Sequence, residues 1–151
     1  MIRDDVKAAE VAAMKAGDRP RAAAARQILA RIKDRDIELR PKGGAADDDA
    51  MVVELLQKMV KQRRESIAMY ETGGRQELAD AEAAEIAVIE EFLPAQLSDA
   101  ELDLAIDAIV TESGAAGLAE MGRVMALVKA RHGGQIDMAR ASAMVRARLA
   151  G

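Results

Sequence analysis

Tyr70 and Phe92 are the only aromatic side chains among 151 residues, and the chain has neither cysteine nor tryptophan. Any core must therefore be built from aliphatic side chains, alanine and nine methionines. Such residues fill space by close helix approach and adaptable packing, without large flat anchors. Ala, Leu, Met, Glu, Lys, Gln and Arg dominate the rest, all strong helix formers, and proline occurs only at positions 20, 41 and 94. An all-α fold follows. The same scarcity bears on ligands, because single-stranded nucleic-acid binders rely on stacked aromatics and two rings cannot make a platform of any length.

The breakers divide the chain. A first helix is expected from about Ile2 to Ala16, stopped by Gly17, with Asp18 as the next N-cap and Pro20 in the first turn of a second helix that runs to about Arg40. Pro41, Lys42, Gly43 and Gly44 break the pattern, and Asp47 to Asp49 place negative charge where the dipole of a third helix favours it. Val53, Leu56, Val60, Ile67 and Tyr70 trace its apolar stripe, with Arg63 standing where another apolar residue would continue it. Thr72-Gly73-Gly74 ends that helix, and a fourth carries Leu78, Ile86, Ile89 and Leu93 on one stripe. Pro94 disfavours helix at Leu93, and Ser98 to Glu101 reads as a capping box. Thereafter a helix to about Ser113, a Gly114 to Gly117 turn, a short helix from Met121 to Arg131, a stop at His132-Gly133-Gly134, and a last helix capped by Asp137 make a three-helix module, with Met138, Met144, Val145 and Leu149 on the last helix. The natural division is an N-terminal helical subdomain of long helices over residues 1–94 and a smaller subdomain over 95–151.

Composition excludes several classes. Without cysteine there is no thiol catalysis, disulfide or Cys-type zinc site. No segment approaches the roughly 20 apolar residues of a membrane span, and the charged N-terminus does not resemble a secretory leader, so no membrane association and a cytoplasmic location are expected. The net charge is −4, unevenly spread: residues 1–46 hold 11 basic and 7 acidic side chains, residues 47–97 hold 5 and 12, and residues 98–151 hold 6 and 7. Nucleic-acid contact would have to use a local basic surface.

Two such surfaces suggest themselves. Arg19, Arg26, Lys33 and Arg40 recur every seven residues, within about 60 degrees of one another on the second helix. They read first as a solvated face balanced by Asp34, Asp36 and Glu38, with a phosphate-tracking ridge as the alternative. Lys58, Lys61, Arg63 and Arg64 are denser but face an acidic fourth helix, so that a bridge from Arg63 or Arg64 to Glu82 or Glu85 competes with ligand binding. Neither Glu82 with Glu85 nor Asp103 with Asp107 is accompanied by the further ligands a metal site needs, and the single His132 lies far away in sequence, in a glycine-rich turn. No phosphate loop or dinucleotide fingerprint occurs, and the serines have no histidine base. No catalytic, metal or cofactor site is expected.

The order and spacing of DDVKAAEVAAMKAGD from Asp4, KQRRES from Lys61, Tyr70, Gly74-Arg75, Glu82, Glu85, EEFLPAQL, SDAEL from Ser98 and EMGRVM from Glu120 resemble the GatB/YqeY family. Its shared C-terminal module is also the tail domain of the B subunit of the glutamine-dependent tRNA amidotransferase, a carbon–nitrogen ligase. The resemblance spans nearly the whole chain and implies a standalone YqeY-like protein that carries the tail without the catalytic domain. It implies a noncatalytic module that binds tRNA or accompanies a tRNA-metabolising enzyme, with a protein-interaction adaptor in aminoacyl-tRNA metabolism as the alternative and no DNA partner. Any amidotransferase activity would then need a separate catalytic subunit. Carried over by motif, Leu93-Pro94 and Leu97 correspond to the joint between subdomains, Gly122 to a close-packing position, and Arg123 to the basic residue after it. Arg123, Lys129 and Arg131 are the leading candidates for a tRNA-facing surface, followed by Lys61, Arg63 and Arg64.

Overall fold

A computed structural model describes residues 1–151 as an all-helical chain. Its helices are α1 (Ile2–Ala16), α2 (Arg19–Leu39), α3 (Asp48–Thr72), α4 (Gln76–Glu90), α5 (Asp99–Ser113), α6 (Met121–His132) and α7 (Met138–Ala150), with single 3-10 turns at Arg40–Lys42, Leu118–Glu120 and Gly133–Gln135. The chain forms two compact units, Met1–Leu93 and Pro94–Gly151.

The boundaries have local causes. The carboxylate of Asp18 accepts from the Arg21 amide and opens α2, with Pro20 in the first turn. Proline fits there because the amide it lacks would have had no intrahelical partner. Asp47 does the same for α3 through the Ala50 amide, and Asp137 for α7 through the Ala139 amide. Ser98 and Glu101 complete a reciprocal capping box at the start of α5. Between α2 and α3, Gly43 and Gly44 both have positive φ, 85° and 87°, a tandem left-handed pair that side chains with a Cβ resist.

In the first unit α1 packs on α2 and α3 on α4, and α2 also packs against α3 and α4. Small residues are part of this packing: Ala13 on α1 and Ala22, Ala24 and Ala25 on α2 are buried. Around them Val6, Ile28, Ile32, Val52, Leu56, Met59, Val60, Ile86 and Ile89 form the core, with Phe92 and Leu93 against it. The expected stripe of α4 needs one correction. Leu78 is exposed and the neighbouring Ala79 is buried instead, because one residue, about 100 degrees on a helix, decides which of the two faces inward. Leu93 lies just beyond the last helical residue of α4.

The second unit is a three-helix module around Leu102, Ile106, Ile109, Val124, Val128, Ile136, Ala141, Val145 and Leu149. Leu97 belongs to it: its amide donates to the Gln135 carbonyl at 2.8 Å and its side chain packs on that core. Gly122 is not a close-packing position. It is exposed, and a Cβ there would meet nothing within 4 Å.

Candidate functional site

The candidate cations of α3 point in three directions, since Lys61, Arg63 and Arg64 are two and three positions apart on a helix of 3.6 residues per turn. Arg63 turns inward, with only 16% of its side chain exposed, and its Nη1 bonds both Glu82, at 2.9 Å, and Glu85 of α4. Its Nη2 donates to Gln27 of α2. One guanidinium thus ties three helices and occupies the space between the two carboxylates. It stands on the core stripe because its charge is matched there. Arg64 is exposed and reaches Glu90 at 3.4 Å, and Lys61 is exposed without an acidic partner.

On α6 the geometry also separates the leading candidates. Lys129 lies about 120 degrees around the helix from Arg123 and about 160 degrees from Arg131. Arg123 bonds Glu120 one turn earlier at 2.7 Å, and Arg131 makes a two-pronged pair with Glu112 of α5 at 2.6 and 2.8 Å. That pairing holds the Glu112 carboxyl below the usual glutamate range. Lys129 is left exposed and without an acidic partner. His132 ends α6, with Nδ1 3.4 Å from the Gln135 side-chain oxygen.

An ion-pair knot in the first unit was not foreseen from the sequence. Arg3 of α1 bonds Asp36 at the end of α2 through 2.7 and 2.8 Å contacts, and Asp48 at the start of α3 at 2.6 Å. Beside it the Ile2 amide donates to Asp49 at 2.9 Å. The Arg3 bonds depress the Asp36 carboxyl against the opposing effect of partial burial, with smaller help from the nearby charges of Arg40 and Lys7. The Asp47–Asp49 run was the available signal, and its dipole reading hid the tertiary one. Arg21 similarly holds Glu91 below its usual range through a 2.7 Å contact.

These pairings sort the cations. Of the 22 lysines and arginines, eleven have a carboxylate within 4.0 Å. The other eleven are all exposed, and eight of them fall in the first 42 residues: Lys7, Lys15, Arg19, Arg26, Arg31, Lys33, Arg40 and Lys42. Of the three acids expected to balance the second helix, two already have partners, Asp36 in Arg3 and Glu38 in Arg35, and Asp34 has no cation within 4.0 Å. No helix is long and apolar enough to cross a membrane.

The chain is an all-helical protein of two compact units. The comparisons with known proteins identify it further: residues 2–149 match the family described as Yqey-like protein, and the chain belongs to that family. Over 120 residues it is 26% identical to the protein named "Altered inheritance of mitochondria protein 41, mitochondrial" from Saccharomyces cerevisiae (strain ATCC 204508 / S288c), an alignment covering 76% of this chain and 61% of the relative. The protein of the same name from strain YJM789 aligns to the same extent. The chain thus spans about three-fifths of the length of these curated relatives.

Proposed function

We propose that this chain is a noncatalytic tRNA-binding or accessory module of the kind its resemblance to the amidotransferase tail implies. The observation that supports it most is the reserve of eleven exposed, acid-free cations in a protein of net charge −4. Phosphate contact needs such side chains, whereas cations already held by carboxylates must first lose a partner. The noncatalytic half of the reading draws on Arg63, which fills the space between Glu82 and Glu85. We place the module in an aqueous compartment such as the cytoplasm; the yeast relatives carry "mitochondrial" in their name.

Titrating the purified chain with several deacylated tRNAs at low salt tests this reading. Comparable, strongly salt-dependent binding to all of them is expected, without ATP hydrolysis or conversion of a misacylated glutamyl-tRNA. Failure to bind any tRNA, together with capture from its own cells of a protein of aminoacyl-tRNA metabolism, would establish the adaptor reading instead. ATP-dependent turnover by the isolated chain that disappears in Glu82→Gln would overturn the noncatalytic assignment.

A further inference from the structure

We infer that the outer edge of α2 is a phosphate-tracking surface for structured RNA, which sharpens and rests on the tRNA reading by moving its site to the first unit. Arg19, Arg26, Lys33 and Arg40 are all exposed, and none has a carboxylate within 4.0 Å. At 1.5 Å per residue they stand about 10.5 Å apart along a line of about 31 Å. That interval is about one Debye length at 0.1 M salt, so the four repel each other little and each keeps its full attraction for a phosphate.

The surroundings favour a linear polyanion over an acidic protein. Ala23 and Ala30 lie on the same edge of α2 and are exposed, so nothing bulky shields the cations. Protein interfaces centre on large anchors such as Trp, Tyr and Arg in desolvated pockets, and here Ile37, half exposed, is the one sizeable apolar side chain on the edge. Two acids of α2 near the row already have cation partners, Asp36 in Arg3 and Glu38 in Arg35. Asp34 projects about 60 to 120 degrees around the helix from the four cations. Lys7 of α1 adds charge at the C-terminal end, where it and Arg40 both act on Asp36. Without aromatic side chains on α1 or α2, the edge has no means of stacking unpaired bases, so it suits the backbone of a paired arm.

The test compares the full chain with Arg19→Gln/Arg26→Gln/Lys33→Gln/Arg40→Gln and with Arg123→Gln/Lys129→Gln/Arg131→Gln, each first shown to keep its helical circular dichroism. Fluorescence anisotropy at 50 to 200 mM salt would use two probes, a deacylated tRNA and a plain 16-base-pair RNA duplex. The α2 variant should bind both probes roughly tenfold or more weakly, and its log–log salt slope should fall by roughly 3. The α6 variant should lose no more than about threefold, because Arg123 and Arg131 are already paired and Lys129 is the one free cation it removes, roughly one phosphate contact against four. Undiminished binding by the α2 variant would overturn the inference and leave the tRNA reading standing. Duplex binding that depends on α2 without tRNA binding would uphold the inference and remove the tRNA reading. Parent protein that binds neither probe at 50 mM salt would overturn both.

Discussion

The two units use the same kind of ion pair to different ends. In the first, Arg3 and Arg63 join three helices each from partly buried positions, with 23% and 16% of their side chains exposed. In the second, Arg131–Glu112, Arg140–Asp99 and Arg148–Asp107 lie on the surface around a wholly aliphatic core. A pair removed from water leaves an uncompensated charge when one partner is lost, whereas an exposed pair is replaced by solvent and screened by salt. Ion pairing should therefore specify the helix arrangement in the first unit and contribute little in the second.

Arg63→Ala is the severest way to break that contrast. It strands Glu82 and Glu85 side by side against the core and should cost about 2–3 kcal/mol. Tyr70 is the only tyrosine and there is no tryptophan, so tyrosine fluorescence in urea reads the first unit while circular dichroism reads both. An unchanged fluorescence midpoint would put Arg63 with the surface pairs. In the second unit the largest polar effect should come from a cap: Ser98→Ala removes the acceptor for the Glu101 amide and should cost about 1 kcal/mol, read by circular dichroism with the Tyr70 transition unmoved.

Asp36→Asn should cost about 0.5 kcal/mol at neutral pH, because its side chain is more than a third exposed. The folded-state pKa of Asp36 lies below its ordinary value of 3.8, so the stabilisation is fully present above about pH 4 and is lost as pH falls through the depressed value. Urea midpoints of parent and variant should accordingly differ at pH 6 and draw together as the pH falls below 3.8; a gap that widened on acidification would contradict the pairing. Arg140→Gln, at the other extreme, should leave the circular dichroism midpoint within error at 0.15 M salt. A clear loss there would mean that the second unit, too, depends on its charges.

Local chemistry was largely legible in the sequence, and tertiary partners were less so. Asp18, Ser98 and Asp137 cap their helices as their positions imply, because capping acts within three residues, and Asp47, read as dipole charge, proves to be a cap as well. A bridge from α3 to α4 was open in advance, through Arg63 or Arg64 and in competition with ligand binding, and Arg63 makes it with Glu82 and Glu85. Arg131 with Glu112, and Arg3 with Asp36 and Asp48, could not be paired in advance, since their meeting depends on how the helices cross. The same limit explains Leu78, where one residue of rotation decides whether leucine or Ala79 faces inward, and Gly122, whose surroundings follow from packing rather than motif. It also affected the candidate site: spacing revealed the row of Arg19, Arg26, Lys33 and Arg40, but not that Asp36 and Glu38 have arginine partners of their own.

The uneven charge along the chain has a kinetic consequence. Residues 1–46 carry 11 basic against 7 acidic side chains, while residues 47–97 carry 5 against 12, and α1 to α4 belong to one compact unit. Such a body has a permanent dipole as well as a net charge, and a dipole feels a torque in the field of a charged partner. An approaching polyanion would turn the α1–α2 side toward itself and the α3–α4 side away before any contact formed. Orientation during encounter, which salt screens beyond a Debye length, would then make the arrival rate more sensitive to ionic strength than the net charge alone suggests.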